Sequence, residues 1–131
     1  MNRNYLGLVL CGLTALSMSG VAAYADAAYS NKWRIEISEG ANSSGTMTFR
    51  VTPHQGTPVD VTAQIKGGRG ENGVARDVRD ALAAQLSSGS FAIEVDDGED
   101  VLIKKREGQP DFAVELVQSS ITGTRVEVDS E

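Results

Sequence analysis

Most of the apolar stretches of this chain alternate apolar and polar residues at a period of two, and one long stretch follows a helical period instead. Lys32–Glu39 turns Trp33, Ile35 and Ile37 one way and Lys32, Arg34, Glu36 and Ser38 the other. Thr46–Thr52 repeats the pattern with Met47, Phe49 and Val51 inward, and Val59–Lys66 does so with Val59, Val61, Ala63 and Ile65. Four more strands are expected at Phe91–Asp96, Val101–Arg106, Phe112–Gln118 and Ile121–Val128. The exception is Gly73–Gly89, where Val74, Val78, Ala81, Leu82, Gln85 and Leu86 fall on one helical stripe. Arg76, Asp77, Arg79 and Asp80 lie opposite, with Arg76 and Asp80 spaced as an ion pair. Asn72 is the expected N-cap, and Gly89 the expected C-terminal stop.

Amphipathic strands suit a largely antiparallel sheet with one covered face. The fold class expected is therefore α+β: a sheet of six to seven strands with one amphipathic helix on its apolar side. A helix of about 15 residues is roughly 22 Å long, enough for about four strands spaced at 4.8 Å. The rest of the sheet must curl or lean on a partner. At the acidic hairpin, a two-residue loop would set the apolar faces out of phase. A three-residue loop, Asp97-Gly98-Glu99, sets Val95 opposite Val101 and Ile93 opposite Ile103, with Gly98 at positive φ.

The N-terminus changes the picture. Arg3 precedes an apolar run from Leu6 to Ala23, and Ala23-Tyr24-Ala25 fits a signal-peptidase site. Residues 1–25 read as a signal peptide and 26–131 as a single domain. Removing the signal takes away Arg3 and the sole cysteine, Cys11, so the net charge moves from −6 to −7. The remaining chain has no disulfide and no thiol chemistry. Its acidity argues against nucleic acid and anionic membrane surfaces as partners. A periplasmic or secreted location is expected, with no membrane insertion once the signal is gone.

Candidate chemistry is sparse. Gly68-Arg69-Gly70-Glu71-Asn72-Gly73 matches G-x-G-x-x-G between a strand and a helix, with Glu94 near the next strand's end. The strand before it carries Asp60, Thr62, Gln64 and Lys66 on one face, unlike the doubly buried first strand of a dinucleotide fold. Glu71 also stands where pyrophosphate would sit. The loop 67–73 therefore reads as a strand-to-helix connection, and no cofactor is expected. The hairpin 94–100 concentrates Glu94, Asp96, Asp97, Glu99 and Asp100. Its spacing departs from the calcium-loop pattern, and it reads as a solvated tip with no metal. His54 is the sole histidine, so zinc sites of the usual ligand sets are unavailable within one chain. No G-x-S-x-G elbow is present, and no catalytic residue is assigned. Lys104 and Arg106 are expected to neutralise Glu94 and Glu115. Ala92, Leu102, Ala113 and Val117 fall on the nominally wet faces of the later strands, where they would form an apolar protein-binding patch.

The run DVRDALAAQL followed by SFAIEVDDGEDVLIKKREGQPDFAVEL resembles a strand-helix-hairpin module of flagellin-like and phage tail structural proteins. The similarity covers about residues 59–116, and Gln85-Leu86-Ser87 stands where that family keeps an asparagine. The resemblance implies a structural or adhesive module without catalysis. Together these features predict a small exported envelope or secreted protein, not an enzyme. It would act through its sheet by binding a protein partner or by self-association, with Lys32–Glu39 and Ile121–Val128 as candidate edges. A periplasmic ligand-binding or inhibitory protein using loop 67–73 or hairpin 94–100 is the alternative.

Overall fold

The computed structural model describes residues 28–131. The expected signal peptide therefore lies outside the described residues. Every expected strand forms: β1 (Lys32–Ser38), β2 (Gly45–Pro53), β3 (Val59–Ile65), β4 (Phe91–Asp96), β5 (Asp100–Lys105), β6 (Phe112–Ser119) and β7 (Arg125–Ser130). The helix α1 (Glu71–Gln85) sits between β3 and β4 in the chain. The last strand starts four residues later than its pattern suggests, and Ile121 is instead buried in the preceding loop.

The expected single sheet is not what forms. The strands divide into two antiparallel sheets, ordered β4-β5-β1-β7 and β3-β2-β6, and the described chain is mostly β. A period of two says that one face of each strand is buried, but not what buries it. Here each sheet covers the other. One continuous core cluster joins Trp33, Ile35 and Ile37 of β1, Met47, Phe49 and Val51 of β2, and Val101 and Ile103 of β5. Lys32–Glu39 is consequently no edge: β1 runs between β5 and β7, with Ile35 opposite both Val101 and Val128. Val59 also departs from its expected inward position. It opens β3 beside Val51 and remains 38% exposed.

The helix is not a lid over one sheet face. It packs against β3 and β4, the edge strands on one side of the sandwich, and reaches β5 and β1 behind them. Val74, Val78 and Leu82 are fully buried, as the helical stripe requires. Gln85, the polar member of that stripe, meets an edge. Its Oε1 accepts from the Thr62 N–H at 3.2 Å, and its Nε2 donates to the Thr62 carbonyl at 2.9 Å. The side-chain amide thus stands in for a neighbouring strand at that point of β3.

Both expected caps are replaced. Gly70 is the N-cap and makes no side-chain bond there, while Asn72 lies inside the helix against Gly98. Arg69 does the fastening, with its guanidinium forking onto Asp77 at 2.8 and 3.0 Å and donating to the Gly73 carbonyl at 3.0 Å. At the other end Leu86 is extended, so the helix stops before Gly89. Leu86 is buried while its N–H still bonds the Leu82 carbonyl. Asp80 pairs with Arg79 at 2.6 Å rather than with Arg76.

Since α1 fills one whole side of the sandwich, truncating its stripe leaves a cavity against both sheets. Leu82→Ala should cost roughly 2–5 kcal/mol in urea unfolding. Ala83→Ser, on the exposed face, should cost less than about 1 kcal/mol.

Candidate protein-binding edge

The hairpin β4–β5 adopts the three-residue register, with Val95 opposite Val101 and Ile93 opposite Ile103. Gly98 takes φ +81°, and Asp97 also lies in the left-handed region at 54°. The strands thereby place Asp96 and Asp100 opposite each other, next to Arg34 of β1. Arg34 donates to Asp100 Oδ2 at 2.6 Å, to Asp96 Oδ2 at 3.2 Å and to Glu131 Oε2 at 2.6 Å. These bonds hold the guanidinium protonated well above its ordinary range and hold the Glu131 carboxyl below its own. Asp100 is the one buried charged residue among those described, and its Oδ1 is enclosed without a hydrogen-bond partner there. That carboxylate depends on Arg34.

Among the four residues assigned to the apolar patch, the structure brings together none across the sheets. Ala92 and Leu102 stand on β4 and β5 of one sheet; Ala113 and Val117 stand on β6 of the other. Leu102 is not exposed. It sits opposite Arg34 and Glu94, 5% exposed and outside the main core cluster. Ala92 and Ala113 are half-buried, and Val117 alone is open, at 41%. Lys104 does pair with Glu94, at 2.9 Å. Arg106 instead donates to the Ser88 carbonyl, and Glu115 faces Arg50.

The glycine loop is fastened to its surroundings. The Gly68 N–H donates to the Ala41 carbonyl at 2.8 Å, and the Arg69 carbonyl accepts from the Ala41 N–H at 2.8 Å. Gly40 passes so close to Arg69 that a Cβ there would overlap the Arg69 carbonyl oxygen. Glu71 in the first helical turn accepts from the Glu39 N–H at 3.0 Å. The loop thus spends its polar groups on the β1–β2 connection. His54 meets Tyr29 edge to face, with ring centroids 4.7 Å apart.

What remains is an inequality among the four sheet edges. Gln85 covers part of β3, and α1 packs on β4. Along the free edge of β7 stand Arg125, Glu127 and Asp129, charges of the kind that discourage stray pairing. Among the described residues β6 has less cover. Phe112 spends both its N–H and its carbonyl on Ser30, each at 2.9 Å, so its backbone faces away from β2. At a period of two, Val114 and Leu116 face the same way. The bridge to Ser30 is isolated and is not continued past Phe112 among the described residues. Glu115 to Ser120 are all exposed, Leu116 at 36%, and no charge occurs from Leu116 to Thr124. A bulge between Leu116 and Gln118 accentuates the bend of this edge. The uncharged run was visible in the sequence; its position on an open edge was not.

Beside the same edge lies an open cavity of about 740 Å³. Tyr29, Trp33 and, from β6, Ala113, Val114 and Glu115 line it, and the buried Trp33 donates its Nε1–H to the Phe112 carbonyl at 2.7 Å. Arg50 and Asp60 also line it. Arg50 forks onto Asp60 at 2.8 and 3.1 Å, which holds the Asp60 carboxyl below its ordinary value. Glu115 stands further off, 3.7 Å from Arg50 and 62% exposed at its side chain.

No protein-family model matches the chain, and no curated protein matches it in sequence.

The hairpin tip yields a pH dependence. Glu99 shares a side-chain hydrogen bond with Glu71, and the negative field of Glu71, Asp100 and Asp97 surrounds it, so its carboxyl titrates above the usual value. A proton is therefore held more tightly in the folded chain than in the unfolded one. The pair adds stability at acid pH that is lost as the pH rises through the raised value. Melting curves between about pH 4 and pH 7 should show Glu99→Gln gaining on the wild type as the pH increases. A constant difference between the two would remove the shared proton.

Proposed function

We propose that this chain is a small non-enzymatic module, exported to the envelope or beyond it, that binds protein by accepting a strand at the outer edge of β6. The observation that carries the reading is the unequal protection of the edges. Part of β3 is bonded by Gln85, β4 is packed by α1 and β7 is lined with charge, whereas among the described residues the outer edge of β6 is bridged only at Phe112, ahead of exposed Leu116 and Val117. Strand addition takes its affinity from main-chain hydrogen bonds and its specificity from alternate side chains. An uncharged run within a chain of net charge −6 is also where a partner meets least repulsion. No helix among the described residues is long and apolar enough to cross a membrane, in keeping with a module that works in solution or against another protein. The pattern-level resemblance to flagellin-like and phage tail modules points to the same structural class of role.

Site-specific photo-crosslinking tests the edge. A photo-reactive phenylalanine analogue at position 116, exposed to envelope extract or to a second copy of the chain, should yield discrete adducts. The same group at position 83 on α1 or position 127 on β7 should yield none. Adducts at 83 or 127 equal to those at 116, or none at any position, would remove the β6 reading.

A further inference from the structure

We infer that the open cavity at the end of β1 and β5 away from the hairpin is an anion site that takes a phosphate group, free or as a small monoester. It is a second site and does not depend on the edge reading. β1 and β5 sort their outward charges by end. Glu36 faces Asp100 near the hairpin, and Lys32 faces Lys104 at the other end. Such cross-strand neighbours lie about 4.5–5.5 Å apart at Cβ, where like charges work against the pairing. The cavity, of about 280 Å³, is lined by Lys32, Lys104, Lys105 and Arg106, with Asn31 and Glu107. Of the chain's 12 basic residues, a third thus meet around one opening, although the chain's net charge is −6.

The cations differ in how firmly they are already held. Lys104 meets Glu94 at 2.9 Å, and Lys105 meets Asp111 at 3.0 Å. Lys32 reaches Glu131 only at 3.4 Å, and Arg34 binds that carboxylate more closely, at 2.6 Å. Arg106 pairs with no carboxylate among the described residues. Its Nε donates to the Ser88 carbonyl at 2.6 Å, and neither terminal nitrogen makes a hydrogen bond there. Those nitrogens form the planar fork that matches phosphate oxygens. Glu94, Asp111 and Glu131 balance the three lysines from outside the cavity lining, and Glu107 is the one acid on it. Exposed pairs of that kind contribute little, and each ammonium keeps further N–H donors for a second anion. A carboxylate brings one charge to a place where lysines stand face to face. A phosphate monoester brings roughly two at neutral pH, with more acceptor oxygens to span Arg106 and Lys32. The acidity of the whole chain opposes an extended anionic surface, so the expected occupant is a small soluble anion.

The probes are inorganic phosphate and glycerol phosphate, titrated into the protein at an ionic strength held constant with sodium chloride. Amide shifts are followed by nuclear magnetic resonance. Both anions should move the amides of Lys32, Lys104, Lys105 and Arg106 saturably. Arg106→Gln should weaken binding about tenfold and Lys32→Gln about threefold. Thermal melts check their folding, and either variant carries the test if the other does not fold. Lys66→Gln, an exposed lysine outside the cavity lining, should bind as the wild type does. Co-sedimentation with phosphatidylglycerol vesicles, against phosphatidylcholine as blank, separates the sources of the phosphate. Response to the free anions without vesicle binding identifies a soluble ligand. Vesicle binding that Arg106→Gln abolishes, without response to the free anions, assigns the same site to a lipid headgroup. No saturable response to either, full affinity in the folded Arg106 and Lys32 variants, or an equal loss in Lys66→Gln overturns the inference.

Discussion

The structure depends on how a two-sheet core is shut along its sides. Facing sheets exclude water from each other's inner surface, but each contributes two edges where both backbone and core are open. At roughly 25 cal/mol per Å² of apolar surface left in water, an open side is costly. Here α1 closes one side, packed on β3 and β4 at once, with Leu82 and Val78 in the gap and Gln85 bonded to the backbone of β3. The opposite side is closed more loosely, by the approach of β6 to β7 and by the single bridge from Ser30 to Phe112. Stability and openness are thus segregated to opposite sides of one small domain.

Charge follows the same division. On the outer face of the four-stranded sheet, Arg34 gathers Asp96, Asp100 and Glu131 from three places in the chain. The C-terminal residue is thereby tied to β1, and the Glu131 N–H adds a bond to the Lys32 carbonyl at 2.9 Å. This is a network around a partly buried carboxylate, unlike the scattered surface pairs that contribute little. On the three-stranded sheet, Arg50 binds Asp60 closely and Glu115 at arm's length.

Much of this was legible in the residues. Alternation located most of the strands, and the phase argument at Asp97-Gly98-Glu99 set the hairpin register that forms. The helical stripe identified Val74, Val78 and Leu82 as core. The partition into two sheets was not legible, because periodicity reports a buried face without naming its cover. Leu102 shows the same limit at the scale of one residue. Its outward parity suggested exposure, yet Arg34 of β1, distant in sequence, arrives beside it opposite Glu94 of the adjoining hairpin strand. The helix start differs for a local reason: Arg69 reaches forward to Gly73 and Asp77 and fastens the first turns in place of the cap expected from Asn72. The candidate edge was half legible, since the uncharged run after Glu115 is plain, but only the strand order places it at a boundary.

That strand order has a consequence for the chain as it is made. β1 is the first strand synthesised and one of the two interior strands of its sheet, yet both its partners, β5 and β7, lie in the last third of the sequence. A growing chain that has produced β1, β2, β3 and α1 can pair β2 with β3, but it must carry β1 with two open edges and three large apolar side chains uncovered. Pairings so distant in sequence repay their loop-closure entropy late. Such a chain gains its native core only near completion and remains threadable until then, so any companion that guards it before that point has β1 to hold.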